Sequence, residues 1–220
     1  MQQKKKVLFF PQNKTHIDNM LPVANALIAK GYDVCFLNAS KIYKQNIYCD
    51  SFPFQIINID LSTPVSFAFL SSLRKIIFLR NYVTYISLLR FNNYEYFIYG
   101  NDGALQRVFI AKYRKAKHVL ILDGMISDYT FSMLSIFRFS DTPINDLKRK
   151  VRDVLKYVIN KVFAYLPYNY YLPSDVGCSG LDKIFVLSDY INNVIYNQRI
   201  KKTDIITSGM PRYKFLKTTF

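Results

Sequence analysis

The sequence predicts an α/β protein of the doubly wound class, a Rossmann-like parallel sheet with helices on both faces. Three observations predict it. Short apolar runs alternate with stretches of helical periodicity along most of the 220-residue chain, as a sheet built from crossover units requires. The first run, KVLFF, is apolar throughout, as a strand buried on both faces is. A complete strand–helix–strand unit also fits into about thirty residues at the start of the chain, the usual size of such a crossover.

Taken in order, residues 6–10 (KVLFF), bounded by Pro11, read as a strand. Ile17, Leu21, Ala24, Leu27 and Ile28 then recur at helical spacing. Asp18 is the expected N-cap, Pro22 belongs in the first turn, and Gly31 closes the helix. YDVCFLN (32–38) and FQIINID (54–60) are the next strands. Leu70–Phe91 reads as a helix with a basic face. YEYFIYG (94–100), DGALQRVFIAKYRKA (102–116) and KHVLILDG (117–124) follow as strand, helix and strand. Residues 146–166 read as a long basic helix, with Lys148, Arg149, Lys150, Arg152, Lys156 and Lys161 opposite an apolar stripe. After the Pro- and Tyr-rich connection 165–180 come a strand at 182–188, a helix at 189–199 and a strand at 203–209. No internal repeat or low-complexity segment interrupts the series.

Composition bounds the partners. Lys and Arg number 30 against 15 acidic residues, a formal net charge of +15, which calls for an acidic partner. An anionic membrane surface or a phosphorylated substrate ranks above nucleic acid, since no recognised nucleic-acid-binding module is present. Cys35, Cys49 and Cys178 are widely spaced, form no C-x-x-C pair, and fit a reducing compartment. The apolar part of the N-terminus is too short for a signal peptide. The most apolar segment, 66–91, is broken by Arg74, Lys75, Arg80 and Arg90. The expected location is therefore cytoplasmic, peripheral on the inner face of the cell membrane.

Open α/β sheets bind ligands beyond the carboxyl ends of their strands. Gln12, Asn13 and His16 follow the first strand, Asn101 and Asp102 follow YFIYG, and Asp123 follows HVLIL. An imidazole oriented by a carboxylate makes a general base. Read from the residues alone, His16 is equally a loop residue, Asp102 a helix cap and Asp123 a turn residue beside Gly124. No G-x-G-x-x-G, Walker A or G-x-S-x-G motif occurs, which removes the usual sequence support for a nicotinamide dehydrogenase, a P-loop NTPase or an α/β-hydrolase.

Three segments carry a resemblance. HIDNMLPVANALIAKGYDV resembles the N-terminal signature of GT-B glycosyltransferases, in which a histidine opens the first helix. FIYGNDGALQRVFIAKYRKAKHVLILDGM is similar to paired strands later in that domain, and also to UDP-N-acetylglucosamine 2-epimerases of the same fold. DKIFVLSDYINNVIYNQRIKKTDIITSGMPRYKFL resembles the end of the acceptor-side domain in bacterial surface-polysaccharide transferases. The resemblance covers almost the whole chain in order. It implies that His16 deprotonates an acceptor hydroxyl and that Asp102, or failing it Asp123, orients the ring. It also implies that Gln12, Asn13, Lys14 and Thr15 lie near the phosphates of a nucleotide-sugar donor, which is a co-substrate rather than a cofactor. Asn101 and Asp123 complete the implied substrate contacts.

The same resemblance implies a second, donor-binding domain. The sequence ends eleven residues after Gly209, where an interdomain linker is expected. The expectation is thus one N-terminal GT-B domain over 1–212, a linker beginning at 213–220, and no donor-binding domain. Such a chain is a fragment or half of a split enzyme, inactive without a donor-binding partner subunit. The expected function is the acceptor side of sugar transfer to a cell-surface polysaccharide or lipid-linked acceptor. The alternatives are an epimerase-like protein or polyol-phosphate transferase of the same fold, and a non-catalytic, membrane-recruiting subunit of a split glycosyltransferase.

Overall fold

The computed structural model describes residues 4–122, 180–198 and 204–209, with the single positions 147, 151, 154 and 211. The elements are β1 (Lys6–Phe10), α1 (Lys14–Ala29), β2 (Asp33–Asn38), α2 (Ser40–Tyr43), β3 (Gln55–Asn58) and α3 (Ser72–Leu88). They continue as β4 (Tyr94–Tyr99), α4 (Ala104–Lys112), β5 (Lys117–Ile121), β6 (Lys183–Val186), α5 (Asp189–Gln198) and β7 (Asp204–Thr207). The seven strands form one parallel sheet in the order β3-β2-β1-β4-β5-β6-β7. The expected Rossmann-like, doubly wound class is therefore the observed one. Asp123 and all but three positions of the basic helix expected over 146–166 lie outside the described residues; Leu147, Val151 and Val154 of that stretch are helical.

The two-residue period of β1 sends alternate side chains to opposite faces. Leu8 and Phe10 pack in one core with Leu79, Tyr82 and Ile86 of α3 and Val108 and Phe109 of α4. Val7 and Phe9 join the other core with Met20 and Ala24 of α1 and Phe36 of β2. Phe9 and Phe36 stack with centroids 4.8 Å apart. Each such side chain contributes about 1.5–3 kcal/mol by leaving water. KVLFF therefore lies at the centre of the sheet with both faces covered.

The start of α1 differs from its sequence reading. The N-cap is Asn13, whose side-chain oxygen accepts the His16 backbone N–H at 2.9 Å, and Asp18 is an exposed residue within the helix. The helix starts at Lys14, in a polar turn that gives no apolar periodicity to read. Pro22 consequently falls in the third turn instead of the first. A mid-helix proline removes one intrahelical hydrogen bond and costs about 3 kcal/mol or more. The burial of His16, Ile17, Met20 and Ala24 against the sheet keeps the helix continuous through it.

The other end is as expected. Gly31 has φ +85, its N–H donates to Ile28 at 2.8 Å, and Tyr32 N–H donates to Leu27 at 3.1 Å. These are the paired bonds of a Schellman cap, whose left-handed position suits glycine. The short helix α2, which ends with Lys44 at φ 56, was not expected, because four residues carry no helical period.

Candidate functional site

Strand order reverses at β1, which lies between β2 and β4. A crevice forms where the chain leaves the two neighbouring strands toward opposite sides, and it is there that open α/β sheets bind their ligands. The turn from β1 into α1 forms one wall, with Gln12, Asn13, Lys14, Thr15 and His16. The turn from β4 into α4 forms the other, with Gly100, Asn101 and Asp102.

The two walls touch. The Asn101 side-chain amide donates to the Gln12 side-chain carbonyl, and Gly100 N–H donates to Phe10 C=O at 3.3 Å. His16 is 5% exposed and lies against the Gly100 backbone. A Cβ on Gly100 would come within 2.3 Å of both Cγ and Nδ1 of His16. The imidazole fits because that position has no side chain. Lys14 is exposed, and Gln12, Asn13 and Thr15 are half-buried at the mouth.

The proton on His16 can be placed. Gln12 backbone N–H donates to Nδ1 at 3.0 Å, so a neutral ring carries its hydrogen on Nε2. The Asn13 amide nitrogen lies 3.4 Å from Nε2. In that tautomer both are donors, so the approach is a contact and not a hydrogen bond. As it stands, His16 presents an N–H at Nε2. It becomes a base at that atom only when Nδ1 gives up the Gln12 N–H and takes a proton.

Asp102 sits on the same edge, with its carboxylate fully buried and Oδ1 accepting Arg107 Nε at 3.2 Å. Arg107 comes from the second turn of α4 and is itself buried. Asp102 does not cap α4, whose N-cap is Gly103 without a side-chain bond. The structure thus brings together seven of the eight residues proposed from the sequence, His16, Asp102, Gln12, Asn13, Lys14, Thr15 and Asn101. Asp123 lies outside the described residues.

Two members of the site were missed. Gly100 follows directly on an apolar strand, which is a signal for close backbone approach. Arg107 lies among the apolar positions of α4, where a charge must be buried and therefore paired. Among the described residues, no cluster of three His, Cys, Asp or Glu could hold a metal ion. A cavity of about 740 Å³ lies at the opposite, amino end of β4 and β5, between Phe91, Tyr94 and Lys112–Ala116; it does not reach the crevice.

The second histidine is a core residue. His118 is buried in β5, stacked between Phe97 and Tyr99. Its Nε2 lies 3.0 Å from the Tyr113 carbonyl, which only accepts, so Nε2 carries the hydrogen. Nδ1 then accepts from Tyr99 O–H at 2.8 Å. Burial pushes its pKa below the usual value, against weaker upward pulls from the Tyr113 carbonyl and Asp182.

The unfolded chain protonates this ring near pH 6.5, whereas the folded one resists. The unfolded state therefore binds more protons as pH falls below that value, and stability drops toward the lower folded-state pKa, by at most about 1.4 kcal/mol per unit. Urea midpoints measured between about pH 7.5 and about pH 5 should fall for the wild type. His118→Gln should be less stable throughout and fall less. Parallel curves would show that His118 does not titrate between the two states.

Sheet order, crevice and covered faces define a Rossmann-like α/β domain. Among solved structures it is similar to the glycotransferase of kitacinnamycin, at 12% identity and TM-score 0.50, over 94% of this chain and 53% of that one. Spinosyn forosaminyltransferase SpnP is 15% identical at TM-score 0.45, over 95% and 53%. Os79 from O. sativa, in complex with U2F and trichothecene, is 16% identical at TM-score 0.40, over 83% and 47%. The chain thus spans about half the length of the structures it matches. Its fold is that of the N-terminal half of a GT-B glycosyltransferase. No family model and no curated protein matches the sequence.

Proposed function

We propose that the chain is the acceptor-side half of a glycosyltransferase that moves a sugar from a nucleotide-sugar donor to a cell-surface polysaccharide or lipid-linked acceptor at an anionic membrane. The carrying observation is the crevice at the strand-order reversal, with buried His16 on one wall and buried Asp102 on the other. In this reading the acceptor hydroxyl lies over His16 and attacks the anomeric carbon of the donor. The oxygen–carbon bond forms as the bond to the nucleotide diphosphate breaks, and the hydroxyl proton passes to His16 Nε2. Asp102 is the orienting carboxylate, and its ion pair with Arg107 fixes it in place.

Nδ1 must hold a proton before Nε2 can take one, so the Gln12 N–H has to withdraw when substrates bind. Gln12, Asn13, Lys14 and Thr15 then face the donor phosphates, where a helix N-terminus and a lysine favour negative charge.

A second reading, a non-catalytic recruiting half, is favoured by the same Gln12 bond to Nδ1, in which His16 is an acceptor that locks its own turn. The test is transfer of label from a panel of nucleotide sugars into membrane glycolipid, by the intact protein together with any donor-binding half. Under the catalytic reading, His16→Ala lowers kcat by about 10²–10⁴-fold and leaves donor KM nearly unchanged. An unchanged kcat with full activity would end the catalytic reading and leave the recruiting one.

A further inference from the structure

The helix α3 has apolar side chains on both faces. Leu79, Tyr82 and Ile86 bury one face in the core. On the opposite face Leu73 and Ile77, one turn apart, are 69% and 53% exposed, with Ile76 beside them. Phe69, in the segment leading into the helix, is 83% exposed. Arg74 is exposed beside this stripe, and Arg80 is exposed at its end, one turn beyond Ile76 and Ile77. Between Asp60 and Glu95 the chain has no acidic residue. An apolar strip with only positive charge around it complements an anionic lipid surface, in which apolar side chains enter the acyl boundary while the cations meet the headgroups. Among the described residues no helix is long and apolar enough to cross a membrane.

We propose that Phe69, Leu73, Ile76 and Ile77, flanked by Arg74 and Arg80, dock the protein on an anionic bilayer. Position gives the docking a purpose. In a parallel crossover the helix starts at the edge where the preceding strand ends, so the first turns of α3 lie at the carboxyl edge of the sheet, the edge that carries the His16 crevice. Docking through them brings the crevice to the headgroup layer. This inference rests on the membrane part of the proposed function and needs no catalytic activity.

The test is sedimentation of the full chain with vesicles of phosphatidylcholine, with and without phosphatidylglycerol. Wild type should bind the anionic vesicles, bind neutral ones weakly, and lose binding as salt rises. Arg74→Gln with Arg80→Gln should weaken binding about five-fold per cation removed. Leu73→Gln with Ile77→Gln should weaken it at least as much at unchanged thermal stability, since both side chains are exposed. If that apolar pair binds like wild type, this surface is wrong and the membrane reading survives elsewhere on the protein. If wild type binds neither vesicle, both fall. A wild-type dimer that the same pair splits, without vesicle binding, assigns the face to a second copy and overturns the proposal.

Discussion

Asp102→Ala is expected to lower the stability of the protein by about 3 kcal/mol, near the lower end of what removing one partner of a buried ion pair costs. The Asp102 side chain is inaccessible to water and that of Arg107 is 5% exposed. Deleting the carboxylate removes the buried counter-charge that Arg107 Nε meets at 3.2 Å. Urea unfolding at neutral pH measures the effect, and a loss below about 1 kcal/mol would place the pair in the class of surface bridges.

A second variant separates structure from chemistry. Asp102→Leu combined with Arg107→Met removes both charges and keeps apolar bulk, so it should recover much of the lost stability. If Asp102 also orients His16, that refolded double variant still transfers no sugar. If the pair only holds α4 to the end of β4, activity returns with stability.

Gly100→Ala is the other large effect. The new methyl would lie 2.3 Å from His16 Cγ and Nδ1 and 2.7 Å from His16 Cβ, well inside contact distance. The imidazole must move, and with it goes the Gln12 N–H bond to Nδ1. Overpacking of this size costs about 1–3 kcal/mol. Loss of the site should exceed loss of the fold, because the displaced group is the one over which the acceptor hydroxyl is proposed to lie.

A double-mutant cycle identifies the clash. In a His16→Ala background two of the three close approaches vanish, so Gly100→Ala should cost less there, with a coupling of about 1 kcal/mol or more. Additive costs would mean that the methyl strains something other than His16.

The alternation of strands and helices was legible because the strands are short apolar runs and the helices repeat about every 3.6 residues over enough positions to count. The described strands fall within their expected ranges, trimmed by a residue or more where side chains continue a pattern that backbone pairing does not. What could not be read was local competition. Asp18 and Asn13 are equally good caps by type. Asn13 is the cap, and His16, whose N–H it accepts, packs against Gly100 at the end of β4, a tertiary contact with no trace in the neighbouring residues. Pro22 was misplaced for the same reason.

The candidate site was legible as positions after strands, since topology alone brings them to one edge. Its chemistry was not. That Arg107 holds Asp102, and that Gln12 fixes the tautomer of His16, follow from distances that no spacing in the sequence encodes.

The central place of β1 also bears on how the chain is made. Its first edge is taken by β2 at once, through a crossover of local residues. Its second edge waits for Tyr94–Tyr99, since Lys6 pairs with Tyr94 and Phe10 with Tyr99. Throughout synthesis of everything between, KVLFF stands with one row of backbone groups unpaired, and an open apolar edge is a template for association with other chains. A strand sheltered on both faces and both edges in the finished protein thus spends the synthesis of more than eighty residues with one edge open.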